Sequence, residues 1–155
     1  MKRAVFPGSF DPITKGHESI VRRAIPLFDE IIVAVGYNST KKSAFSLDKR
    51  MNMLTKTFAD VPSIGIDSYT GLTIDFCKKV DASFIIRGLR TSSDFNYERS
   101  IAQMNRALND SIETVLIICE PEFSAISSTI IRDIFTHGGD PKLFMPDALK
   151  DEDLL

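Results

Sequence analysis

Apolar and polar positions along the chain follow two rhythms. Short, unbroken apolar runs recur at Ala4-Val5-Phe6, Glu30 to Gly36 (EIIVAVG), Ile64-Gly65-Ile66, Ala82 to Gly88 (ASFIIRG) and Thr114 to Cys119 (TVLIIC). Such runs predict strands of a parallel sheet, Glu30 to Gly36 as a central one covered on both faces, Ala82 to Gly88 and Thr114 to Cys119 as buried ones, and Ala4 to Phe6 and Ile64 to Ile66 as short ones. Between them the apolar residues fall at helical spacing. A helix over Gly16 to Phe28 would turn Ile20, Val21, Ala24, Leu27 and Phe28 to one side. Pro26 would kink it or end it early, because proline lacks an amide donor and crowds the carbonyl of Arg22. Ser46 can cap a helix carrying Leu47, Met51, Leu54 and Phe58 inward. Three more helices are predicted over Leu72 to Val80, Asp94 to Asn109 and Ser127 to His137, the last stopped by Gly138-Gly139.

Strands alternating with helices imply right-handed crossovers and a parallel sheet with helices on both faces. The expectation is an α/β fold: one doubly wound, Rossmann-like domain over residues 1–155, closed by a short helical tail from about Lys142. Ligands of such sheets sit beyond the carboxyl ends of the strands. Those exits are where chemistry is to be sought.

Composition narrows the options. Apolar residues make up 43% of the 155, and charged residues 26%, as in a soluble globular chain. Nineteen basic against twenty-one acidic side chains leave a formal charge of -2. Nothing there attracts nucleic acid or an anionic membrane in bulk, so neither is expected as a partner and any anion site must be local. The opening Met-Lys-Arg is cut off from any signal-like apolar core by Pro7-Gly8-Ser9. No segment has the apolar length of a membrane span. Cys77 and Cys119 lack metal-ligand spacing and predict two buried thiols in a reduced, cytoplasmic setting. No metal-binding cluster of side chains is predicted.

The strand exits carry the candidate chemistry. After the first strand comes GSFDPITKGH, Gly8 to His17. Its Gly8 and Ser9 allow close backbone approach to an anion, and Gly16-His17 open a helix whose amino end favours negative charge. The second strand leads to a loop with Lys41 and Lys42. Arg87 closes the ASFIIRG strand, where burial calls for an anion or a carboxylate such as Glu98, and Arg90 follows. After the last strand, Ser127, Ser128 and Thr129 offer three hydroxyls where a helix cap needs one. Four exits with anion-binding groups predict a phosphate-rich site. The chain has no nucleophile elbow and no Cys-His pair, whereas phosphoryl and nucleotidyl transfer need mainly positioning and charge stabilisation. Mg²⁺ held by nucleotide phosphates and water is the cofactor expected of that chemistry.

At this point a resemblance applies. Gly8-x-Phe10-Asp11-Pro12 and Thr14-x-Gly16-His17 resemble the T/H-x-G-H signature of the class I nucleotidyltransferase superfamily. Arg87-Gly88-Leu89-Arg90, Asp94-Phe95-x-Tyr97-Glu98, Met104-Asn105-Arg106 and Ile126-Ser127-Ser128-Thr129 narrow it to the bacterial phosphopantetheine adenylyltransferase family. The resemblance implies direct in-line transfer of the adenylyl group of ATP to 4′-phosphopantetheine, in coenzyme A biosynthesis, by a homohexamer. His17 would then stabilise the α-phosphate in the transition state. Ser9, Lys41, Thr73 and Arg87 would hold phosphopantetheine, with Asn105 near its arm. Ser9, Phe10, His17, Gly88, Leu89, Arg90, Glu98 and the stretch Phe123, Ser124, Ala125, Ile126, Ser127, Ser128 and Thr129 would line the ATP side. The residues alone leave open a related transferase with glycerol phosphate or a mononucleotide as acceptor. They also leave open a nucleotide or coenzyme A sensor without turnover.

Overall fold

The computed structural model describes residues 1–155. Five strands form one parallel sheet: β1 (Arg3–Gly8), β2 (Glu30–Gly36), β3 (Ile64–Tyr69), β4 (Phe84–Leu89) and β5 (Glu113–Ile118). Their order is β3-β2-β1-β4-β5, so the strand order reverses at β1, in the middle of the sheet. Register follows directly: Phe6 pairs with Val33, and Val5 with both Ile32 and Ile85. The helices are α1 (Lys15–Ala24), α2 (Leu47–Thr57), α3 (Thr73–Lys79), α4 (Ser92–Leu108) and α5 (Ser128–Thr136).

Alternating side chains of the central strands feed two cores. On one face Phe6, Val33, Val35 and Ile86 pack with Ile20, Val21 and Ala24 of α1 and Met53 and Leu54 of α2. On the other, Val5, Ile32, Ala34 and Ile85 meet Ile74, Phe76 and Cys77 of α3. No helix is long and apolar enough to cross a membrane.

Several expectations shift in detail. The α1 helix stops at Ala24 and tightens into a 3₁₀ turn over Ile25–Leu27, which accommodates Pro26 at its start. That turn swings Leu27 out, leaving it 52% exposed rather than on the core face. In α2 the most buried positions are Arg50, Met53, Leu54 and Thr57, with Leu47 and Met51 only partly buried. The β5 strand is an edge strand, half-covered, and its Ile118 is 72% exposed. Cys77 is buried, but Cys119 is only half-buried and both are free thiols. The tail consists of 3₁₀ turns over Pro141–Phe144 and Asp147–Leu149, which insert Met145 and Leu149 into the first core.

Candidate active site

The carboxyl end of β1 opens onto two cavities. One, of about 330 Å³, is lined by the Gly8–Phe10 segment, His17, Arg87, Arg90, Ser127–Thr129 and Arg132. The other, of about 260 Å³, is lined by Gly36, Tyr69, Thr73 and Asn105 among others. Pro7, Gly8, Arg87 and Glu98 belong to both and form the wall between them.

The segment leaving β1 is shaped by its neighbours. Gly8 is closely packed, because a Cβ there would meet the Phe10 ring at 3.0 Å and the ring would have to give way. Phe10 itself is buried with φ of 45°, a left-handed conformation costly for a bulky residue. Its ring lies edge-on to His17, centroids 5.2 Å apart. One residue on, the buried Asp11 carboxylate accepts from the amides of Ala44 (2.9 Å) and Phe45 (2.8 Å), tying this loop to the entry of α2. The amides of Ser9 and Phe10 donate to no acceptor within the chain. Buried amides are almost always paired, so the Phe10 N–H is positioned for a ligand.

His17 is held in one tautomer. Thr14 caps α1, its hydroxyl accepting from the His17 amide at 3.2 Å. In return the Thr14 amide donates to Nδ1 of His17 at 3.0 Å. With Nδ1 accepting, the ring proton is assigned to Nε2, the nitrogen left to act as a donor. Burial, reinforced by the charges of Arg87 and Arg90, pushes the imidazole down to about 4. The ring is therefore neutral near pH 7 and serves as a hydrogen-bond donor, not as a cation or a base.

The arginines differ in what they carry. Arg87 donates twice to Glu98, at 2.9 and 2.8 Å, and once to the Pro7 carbonyl at 2.7 Å. It retains two further N–H groups for a ligand. Arg90 pairs with Asp94 at 3.4 Å and donates to the Ile126 carbonyl. Arg132, on α5, donates to the Asp11 carbonyl and to the Thr129 hydroxyl and has no carboxylate partner. Each α5 hydroxyl has its own partner: Ser127 accepts from the Ile130 amide, while Ser128 donates to the Pro12 carbonyl.

Three of the four strand exits converge as the sequence suggests. Ser9, Phe10, His17, Gly88, Arg90, Ile126, Ser127, Ser128 and Thr129 line the larger cavity, Thr73 and Asn105 the smaller, and Arg87 and Glu98 both. Ser9 borders only the larger one. Lys41 stands on the exposed loop after β2 and lines neither. Leu89, Phe123, Ser124 and Ala125 also lie off the cavity linings, Phe123 beside Gly16 at the start of α1. Sequence reasoning overlooked Arg132 and Arg50. The spacing of Arg132, one turn after Thr129, could have signalled it, since i and i+3 share a helix face. Nothing local marks Arg50. No group of three His, Cys, Asp or Glu side chains could cage a metal, and the carboxylates of the larger cavity, Asp94 and Glu98, are engaged by arginines. This donor set suits a cation carried in on phosphate oxygens.

A neutral imidazole donor, uncapped amides and a guanidinium without a carboxylate partner gather at the sheet's switch point, a donor set suited to a polyphosphate. Comparison agrees: residues 5–134 match the Cytidylyltransferase-like family. The chain is 51% identical to the phosphopantetheine adenylyltransferase of Flavobacterium psychrophilum, covering 97% of this chain and 99% of that one. It is 48% identical to the enzyme of that name from Phocaeicola vulgatus, over 97% and 99% of the two chains. Among solved structures, a putative nicotinate-nucleotide adenylyltransferase from Vibrio parahaemolyticus superposes with a TM-score of 0.70 at 18% identity, covering 97% of each chain. A bifunctional NMN adenylyltransferase/ADP ribose pyrophosphatase from Francisella tularensis superposes at 0.71 and 18% identity over 95% of this chain and 45% of that one, showing the shared fold. This chain belongs to the phosphopantetheine adenylyltransferase family.

Proposed function

We propose that this protein transfers the adenylyl group of ATP to the phosphate of 4′-phosphopantetheine, forming dephospho-coenzyme A and pyrophosphate in the cytoplasm. The observation that carries the reading is the pair of cavities joined by one wall, with His17 on the larger side and Arg87 in the wall. ATP occupies the larger cavity, with its β- and γ-phosphates toward Ser127–Thr129 and the unpaired charge of Arg132. Phosphopantetheine occupies the smaller, its arm along Thr73 and Asn105 and its phosphate at Arg87.

An oxygen of the acceptor phosphate attacks the α-phosphorus of ATP in line. The bond from that phosphorus to the bridging oxygen breaks, and the electron pair leaves with pyrophosphate. No covalent enzyme intermediate is needed. The Nε2–H of His17 and the Phe10 amide donate to the α-phosphate oxygens as the centre becomes five-coordinate. Mg²⁺ bound to the phosphates would neutralise charge developing on the leaving group. Lys41 joins the acceptor phosphate only if its loop folds inward over the site.

The test is incubation with ATP, Mg²⁺ and 4′-phosphopantetheine, following pyrophosphate and identifying dephospho-coenzyme A by mass. Glycerol phosphate, a mononucleotide and CTP serve as competing substrates. A folded, ATP-binding protein that releases no pyrophosphate would overturn the proposal, and faster turnover of another acceptor would reassign it. A homohexamer is also proposed. It would cover Phe95, Tyr97, Met104 and Leu108, which α4 leaves exposed, and light scattering measures the mass directly.

A further inference from the structure

Arg50 is buried in α2 yet makes no ion pair. It is 6% exposed, and its Nε is the only buried side-chain nitrogen or oxygen lacking a hydrogen-bond partner. Its Nη1 donates to the Ser9 carbonyl at 2.8 Å. A buried guanidinium without a carboxylate is costly, and a hydrophobic residue would fill the same space more cheaply. The position of its one acceptor gives the charge a role. A carbonyl and the amide of the next residue belong to one rigid plane and point in opposite directions. Holding the Ser9 carbonyl from behind therefore turns the Phe10 N–H away from α2, and that amide has no partner within the chain.

The restraint matters because Phe10 is left-handed, and such a conformation persists only when its surroundings over-determine it. Arg50 grips the carbonyl before Phe10. The amides of Ala44 and Phe45 hold the Asp11 carboxylate after it, and Arg132 holds the Asp11 carbonyl. Only Arg50 acts on the peptide plane that contains the free amide. A cationic donor on the carbonyl also polarises that plane, making its N–H a stronger donor.

We propose that Arg50 is a positioning residue, which orients and polarises the Ser9–Phe10 peptide so that the Phe10 amide meets the reacting phosphorus. The inference rests on the adenylyl-transfer reading. Arg50→Lys and Arg50→Met, compared with the native enzyme, test it by steady-state kinetics, ATP calorimetry and the amide resonance of Phe10. Arg50→Met is expected to lower kcat by about 30-fold, below the roughly 10²- to 10³-fold cost of losing one transition-state donor outright because the Phe10 amide is misaligned and not removed, while KM and Kd for ATP stay within about threefold. The Phe10 amide proton should move upfield as its carbonyl loses the cation. Arg50→Lys keeps one donor and should recover part of both effects. If Arg50→Met fails to fold, Arg50→Lys decides: about a tenfold loss in kcat with a shifted amide supports the role. Native kcat with an unmoved resonance overturns it, as does a loss confined to thermal stability. Absence of turnover in the native protein would instead sink the adenylyl-transfer reading, leaving the resonance shift to judge Arg50.

Discussion

Arg87 and Glu98 face each other through two near-parallel hydrogen bonds of 2.9 and 2.8 Å, in the wall that separates the two cavities. Glu98 comes from α4 and is almost fully buried, whereas Arg87 lies inside β4, which runs on to Leu89 rather than closing at Arg87, and keeps about a third of its side chain open. The carboxylate thus acts as a mount that sets the plane of the guanidinium and leaves its two outer N–H groups unengaged within the chain.

Arg87→Ala should raise KM for phosphopantetheine at least tenfold while leaving the ATP Kd within about threefold, because a phosphate contact on one side of the wall is lost. Glu98→Gln keeps the shape but removes the charge. It should cost about 1–2 kcal/mol in stability, below the range for a fully buried pair because Arg87 is partly solvated. Titration calorimetry and chemical denaturation read the two effects separately. Equal losses of both substrates in Arg87→Ala would contradict the wall assignment.

The imidazole of His17 supports a prediction on pH. Its value of about 4 in the folded chain lies below the ordinary 6.5, so the unfolded chain takes up a proton that the folded one resists. The resulting stability is fully present above about pH 6.5 and is lost as pH falls toward 4. Between pH 7.5 and 5 the native protein should lose about 2 kcal/mol more than His17→Asn does, in paired denaturant titrations. Ring NMR should show the Nε2–H tautomer persisting below pH 5. In the same variant kcat should fall about 10²-fold at pH 7.5 with ATP binding largely kept.

Gly8→Ala should be harmful although alanine usually favours order. Its methyl group would sit 3.0 Å from the Phe10 ring, which is confined by Phe6 and His17. The expected outcome is a stability loss of about 1–3 kcal/mol and a kcat loss larger than tenfold, as the ring is driven toward the imidazole. A variant with native melting temperature and native rate would show that the ring has room to yield.

Thr14→Val preserves volume but removes the hydroxyl that caps α1. It should cost about 1–2 kcal/mol, and loosen the ring of His17, since the reciprocal capping contacts act together. The backbone amide that donates to Nδ1 remains, so kcat should fall less than in His17→Asn. Melting curves and single-turnover rates decide this order.

Much of the fold was legible in the apolar runs, because five uninterrupted segments separated by helical spacing permit few arrangements. The misjudged details share a cause. The run Thr114 to Cys119 resembles a central strand, yet only the strand order makes β5 an edge and exposes Ile118. Leu27 follows the helical period on paper, but Pro26 changes the period before it is reached. In the site, glycines, His17 and Arg87 announced themselves through their local setting. Arg50 did not, since its meaning lies in a carbonyl 41 residues away. Arg132 reaches 121 residues back to Asp11, a contact that only tertiary approach creates.

The shared wall has a consequence for how a catalytic cycle ends. Pro7 and Gly8 of β1, Arg87 of β4 and Glu98 of α4 touch both compartments, so a product joining the two substrates as proposed would straddle a partition built from two strands and a helix. Such a molecule inherits the grip exerted on each half at once, and its departure requires both to let go together. Product escape slower than the loss of either separate half is the expected result of that shared partition.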